Sequence, residues 1–139
     1  MKPKRMSKIA VISILSILLF SLSWASNSGR TFVLSSTAKH PDANGTAVID
    51  NSHISLQARG LKPEAVYTVW FVNMKPKKSE TGAGSAPYMF QTDKWGNGSY
   101  SAPLDEIPFG KWSMLMVVLH PNGDPKDMKN MVGALKASL

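Results

Sequence analysis

Apolar and polar positions follow two different regimes along the chain. Residues 1–8 carry Lys2, Lys4, Arg5 and Lys8 and no acid, and residues 9–22 are apolar apart from serines. Ser23-Trp24-Ala25 then places small residues on either side of Trp24, just before Ser26. A basic start, an apolar run and a small-residue site, in that order, predict a secretory signal peptide over residues 1–25. The basic end stays on the cytoplasmic side while the apolar run enters the translocation channel and the bilayer. The run falls short of the roughly 20 residues that span a bilayer, which favours cleavage over retention as an anchor. No Cys lies near the site, so a lipid-anchored form is excluded.

Beyond residue 26 the repeat is two residues or a continuous apolar run, and no amphipathic helix stands out. Residues 53–59 alternate cleanly, with Ile54, Leu56 and Ala58 on one face and His53, Ser55, Gln57 and Arg59 on the other. That period marks a half-buried strand. Residues 46–50 precede it across Asn51-Ser52 and complete a hairpin. Residues 66–73 (VYTVWFVN) and 111–120 (KWSMLMVVLH) are apolar on both faces, which predicts central strands. Shorter strands are expected at 32–34, 88–92 and 99–102. The segment Asp93-Lys94-Trp95-Gly96-Asn97-Gly98 reads as a hairpin loop between the last two, because Asn-Gly supplies the positive φ such turns need. Residues 74–87 read as a long loop, and residues 128–139 as an irregular stretch ending in a strand. Tyr67, Trp70, Phe71, Trp112, Leu115 and Val117 are the expected core. The pattern predicts an all-β, small antiparallel two-sheet sandwich, immunoglobulin-like with about seven strands, forming one domain over residues 26–139.

Composition narrows the partners. Cleavage after residue 25 leaves 114 of 139 residues, enough to bury a core without staples. The chain has no Cys, so it has neither disulfides nor thiolate ligands. Four of its 16 basic residues lie in the leader, which leaves 12 against nine acids and a net charge of +3. That excess is too small to argue for nucleic acid, and an exported domain would not meet any. A periplasmic or secreted location follows, with an envelope or extracellular partner.

Several residues match a known pattern. Gly60, Leu61 and Pro63 form a Gly-Leu-x-Pro turn, Tyr67 and Trp70 a Tyr-x-x-Trp strand, and Asp93, Gly96 and Gly98 an Asp-x-x-Gly-x-Gly turn. Over residues 45–137 this resembles the exported C-terminal β-sandwich domain of anti-sigma-K-type regulators. The matched positions are turn glycines and core aromatics, so the resemblance implies architecture and no activity.

The candidate chemistry is sparse. Met114, Met116 and His120 share parity on one strand, with Met128 and Met131 close behind. Thioether and imidazole groups together suit copper, Cu(I) above all, and this set makes a periplasmic copper-binding protein one alternative. The plainer reading is that these methionines fill core. His40, His53 and His120 lack the short paired spacings of zinc sites. Asp42, Asn44 and Asp50, and again Asn122, Asp124 and Asp127, offer oxygen ligands for calcium. In turns such residues usually cap their own backbone. A small exported hydrolase is the second alternative, but no nucleophile-elbow pattern is present. Asp105 and Glu106 are adjacent, and neighbours on an extended chain point apart. Lys75, Lys77 and Lys78 in the long loop and Trp95 in a turn are the candidate partner-binding residues, because loops on rigid scaffolds carry function. The expected role is non-catalytic binding or structure in the envelope.

Overall fold

The structure, a computed structural model, describes residues 29–139. The expected signal peptide lies outside the described residues. Nine strands and no helix occupy them: β1 (Arg30–Ser36), β2 (Asn44–Ile49), β3 (His53–Arg59), β4 (Val66–Asn73), β5 (Ser79–Gly82), β6 (Met89–Gln91), β7 (Gly98–Pro103), β8 (Met114–His120) and β9 (Val132–Ser138). All pair antiparallel in the order β5-β4-β8-β9-β1-β2-β3-β7, and β6 shares with β5 the free edge of β4.

The sheet is continuous because β1 serves two neighbours. Arg30–Leu34 pairs with β2, and Ser35 and Ser36 pair with β9. The strands therefore curl around one core as a single open sheet, with β5 and β6 at one edge and β7 at the other. Alternation decides what points inward. Ile54, Leu56 and Ala58 of β3 face Tyr67, Val69 and Phe71 of β4 and Leu115, Val117 and Leu119 of β8 within a single buried cluster. Tyr67 stacks on Phe90 with ring centroids 5.6 Å apart, and Phe90 meets Tyr100 at 6.5 Å.

The hairpin of β2 and β3 and the central position of β4 match the sequence pattern. Several expectations need correction. The described residues hold nine strands, not about seven. One of the extra strands, β5, lies inside the expected 74–87 loop. Residues 111–113 precede β8 and do not belong to it. Trp70 is not a core residue, because Tyr67, Val69 and Phe71 take the inward parity of β4. Its indole lies half-buried on the outer face, across from Met116. Trp112 is also half-buried and packs at the rim of the core.

The expected β6–β7 hairpin is absent: β6 pairs with β4 while β7 pairs with β3. A Cβ at Gly98 would lie 2.5 Å from the Phe90 ring, so the two strands meet through an aromatic face rather than a ladder. The positive φ of the connecting turn falls at Gly96 (80°), not at Asn97-Gly98. Asp93 organises this turn, its Oδ1 accepting the amides of Trp95 and Asn97, each at 2.9 Å. The turn docks on the Gly60–Pro63 turn. Leu61 donates to the Gly96 carbonyl, Glu64 donates to that of Asp93, and Thr92 Oγ1 donates to that of Lys62 at 2.6 Å.

Candidate functional site

One concavity among the described residues was not foreseen from sequence. It is a cavity of about 210 Å³ between the 82–88 segment and the 104–112 connection. Phe71, Tyr88 and Trp112 line it with Thr81, Asp105 and Glu106. It is smaller than the roughly 300–1,000 Å³ of sites for drug-sized ligands, so it suits a small molecule or one group of a larger one.

Each wall has a local cause. Phe71 reaches it from the inward face of β4. Tyr88 adopts φ 64°, a left-handed conformation unusual for a bulky residue. Two backbone bonds hold it there: Tyr88 donates to the Ser85 carbonyl at 2.8 Å, and its own carbonyl accepts from Val69 at 3.0 Å. The Tyr88 ring lies against Gly82, where no Cβ intervenes. Trp112 is set by Asn73 at the end of β4. The Asn73 side-chain amide donates to the Lys111 carbonyl and accepts from the Ser113 amide, both at 2.8 Å. It thus clamps the backbone on either side of Trp112. The indole Nε1 of Trp112 is buried and has no protein partner. An unpaired buried donor of this kind is costly. Asp105 and Glu106 are exposed at the mouth, where Glu106 Oε2 accepts from Lys111 Nζ at 2.6 Å.

The residues singled out from sequence lie elsewhere. Met114, Met116 and His120 share the outer face of β8, but His120 is 1% exposed and its ring nitrogens are both engaged. Nδ1 faces the Asp127 carbonyl at 3.1 Å, so it carries the proton. Nε2 therefore accepts from Thr68 Oγ1 at 2.7 Å, and Thr68 accepts from Trp70 Nε1 at 2.7 Å. This closed chain of Trp70, Thr68, His120 and Asp127 is fully satisfied within the protein. Met116 and His120 are four residues apart on an extended strand, about 13 Å at the usual rise. His40 is on another element, with Nε2 3.1 Å from the Tyr67 hydroxyl. Its Nδ1 is buried without a hydrogen-bond partner. Burial lowers its pKa, and the nearby Gly133 carbonyl opposes that shift. His53 Nε2 lies 3.0 Å from Ser101 Oγ on the outer surface. The three histidines are therefore dispersed, and among the described residues no three His, Asp or Glu side chains group as metal ligands.

The turn acids cap backbone. Asp50 Oδ1 accepts the Ser52 amide at 2.7 Å, Asp124 Oδ1 that of Lys126 at 2.9 Å, and Asp127 Oδ1 that of Lys129 at 2.9 Å. At Asp50 and Asp127 these bonds favour the charged carboxylate. For Asp127 the Asn130 side chain comes first among the causes that lower its pKa, and for Asp50 the Ser52 amide does. Asp42 and Asn44 are exposed.

The four partner-binding candidates split. Lys75, Lys77 and Lys78 are exposed just past the end of β4, beside edge strand β5. Trp95 is 69% exposed at the tip of the turn docked near the start of β4, with Lys94 Nζ 4.4 Å from its ring centroid. The length of β4, about 23 Å at the usual rise, separates the two groups. Comparison with protein-family models, with curated proteins and with solved structures finds no match.

Sequence offered only faint signals for the cavity. Asp105-Glu106 is its one acidic pair, and Trp112 sits at the start of an apolar run. Their approach to Tyr88 depends on two connections that no local pattern specifies.

Proposed function

We propose that this chain is an exported, non-catalytic β-sandwich module that binds a small ligand in the cavity between residues 82–88 and 104–112. The observation that carries this reading is a cavity of about 210 Å³ whose lining includes Phe71, Tyr88 and Trp112, with two carboxylates at its mouth. Export is supported by the basic, apolar and small-residue order of residues 1–25. An immunoglobulin-like arrangement is supported by one core shared between opposing strands. The Tyr67 hydroxyl also accepts the Lys62 amide at 2.9 Å, a link of the tyrosine-corner kind. Similarity of the Gly60–Pro63 and Asp93–Gly98 turns to the exported domains of anti-sigma-K-type regulators favours the same architecture. A binding role is favoured over hydrolysis because neither histidine nor cysteine lines the cavity.

The test is a protein-observed NMR screen of small polar compounds, following the Trp112 indole N–H. Selective shifts there, lost in Trp112→Ala while the remaining spectrum stays folded, are expected. Compounds that shift only resonances on other faces would refute the assignment of the site.

A further inference from the structure

We infer that Asn122 is a site of spontaneous covalent modification, in which the Gly123 backbone nitrogen displaces the Asn122 side-chain amide, and that this change unfastens the hydrogen-bond chain ending at His120. The sequence contains three Asn-Gly dipeptides, at 44–45, 97–98 and 122–123. Asparagine is a thermolabile residue, and a following glycine leaves the attacking nitrogen unhindered. By sequence the three sites are equivalent.

The fold separates them. Gly45 sits inside the sheet, paired with Leu34 of β1 on one side and Ala58 of β3 on the other. Gly98 pairs with Ala58 of β3 and lies against the Phe90 ring. The Asn97 amide donates to Asp93 Oδ1, and the Asn97 carbonyl accepts from the Asp93 amide, both at 2.9 Å. Closing a ring onto either glycine nitrogen requires the strand to open first, and packing opposes that. Asn122 and Gly123 are exposed, in the connection between β8 and β9. Gly123 has φ 76°, with nothing within 4 Å of the position a Cβ would take. One turn bond, from the Gly123 amide to the His120 carbonyl at 2.9 Å, has to open.

The side chain is also set for the reaction. Asn122 Oδ1 accepts from the Asp124 amide at 3.0 Å, which folds the side chain back along the Gly123 peptide. The same donor faces the oxygen on which negative charge gathers during attack. The Gly123 nitrogen gives up its proton and bonds to the side-chain carbonyl carbon. The bond from that carbon to the amide nitrogen breaks, and ammonia leaves with the proton. Water then opens the cyclic imide at either carbonyl, leaving aspartate or isoaspartate.

The product loses a contact and gains a repulsion. In the intact chain Asn122 Nδ2 donates to Asp127 Oδ2 at 2.5 Å. The new carboxylate faces that of Asp127 with like charge. The Asp127 carbonyl holds His120 Nδ1 at 3.1 Å, so displacing Asp127 loosens the last link of the Trp70, Thr68, His120 and Asp127 chain.

The test ages the purified chain in mildly alkaline buffer, folded and separately in denaturant, and follows each site by peptide mass mapping with isoaspartate detection. In denaturant the three sites should react at comparable rates. In the folded chain Asn122 should react at least about tenfold faster than Asn44 or Asn97, the difference being the cost of strand opening. Asn122→Gln, whose longer side chain closes the ring poorly, should stay intact at that position. A folded chain in which Asn122 reacts no faster than Asn44 and Asn97 overturns the site. Asn122→Asp carries the product charge from the start. Its His120 ring N–H should exchange with solvent about tenfold faster than in the unaltered chain, as one link is loosened. Unchanged exchange there overturns the coupling to His120.

Discussion

At the residue scale, three side chains or missing side chains have consequences that can be measured. Gly96 sits at φ 80°, and a Cβ there would lie 2.1 Å from the Leu61 carbonyl oxygen. Gly96→Ala must strain the backbone and separate two docked turns, so we expect a loss of about 1–3 kcal/mol in denaturant unfolding. Thr68 links Trp70 and His120, and Thr68→Val leaves both without a partner while keeping shape. A loss of about 2 kcal/mol is expected, and an unchanged unfolding midpoint would show that the chain of bonds carries no weight. His40 gives a pH effect. Burial lowers its folded pKa below the ordinary imidazole value of about 6.5. The unfolded chain then binds the proton more readily, so the His40 contribution is complete above that value. It is lost as pH falls below about 6.5 towards the folded pKa. Thermal unfolding should show the melting temperature dropping across that window, and His40→Gln should flatten the drop. Asp50 and Asp127 act in a separate, more acidic window, because their pKa values are also lowered but from the carboxylate range.

At the element scale, the lysines beside β5 read best as protection of an edge. Strand β5 pairs only with β4 and has a free side. Charged residues on or near such an edge discourage pairing with another chain. Replacing Lys75, Lys77 and Lys78 with Thr should leave the fold intact and increase self-association in analytical ultracentrifugation. A variant that stays monomeric to high concentration would mean the edge is guarded by its shortness alone. Asn73 shows how an element end builds a site. Its amide holds the backbone on both sides of Trp112. Asn73→Ala removes two hydrogen bonds, and we expect about 1–2 kcal/mol of destabilisation with a red shift in tryptophan emission as the indole gains water. Neither lysine cluster nor clamp was identifiable in role from sequence, because an edge or a clamp exists only relative to its neighbours.

At the scale of the whole molecule, the described chain is one curled antiparallel sheet around a single core, and its openings lie between strands joined by long connections. The cavity forms at one of these, where residues 82–88 approach residues 104–112. The seam nearby is closed by the Tyr100 hydroxyl donating to the Ala83 carbonyl at 2.6 Å. The proposed export is tested on the whole chain. Expressed in a bacterial host, it should be recovered outside the cytoplasm with a mass that begins at Ser26. An intact mass in the membrane fraction would instead mean that residues 1–25 are kept as an anchor.

The sequence alone determined the all-β character and most of the strand positions. Period-two alternation over residues 53–59 and two-faced apolar runs over 66–73 and 111–120, of which the strand takes Met114–His120, are local properties, set by which side of a pleat each side chain occupies. The turn role of Gly60 and Gly96 was equally local. Tertiary structure decided which strands meet. Phe90 lies across Gly98, so β7 leaves β6 and pairs with β3, although the Asp-x-x-Gly-x-Gly segment looks like a hairpin turn. It also decided that Trp70 faces outward and that Trp112 closes a cavity. These outcomes depend on contacts between residues far apart in the chain, whose pairing is selected by the packing of the whole core and leaves no periodic mark in either partner.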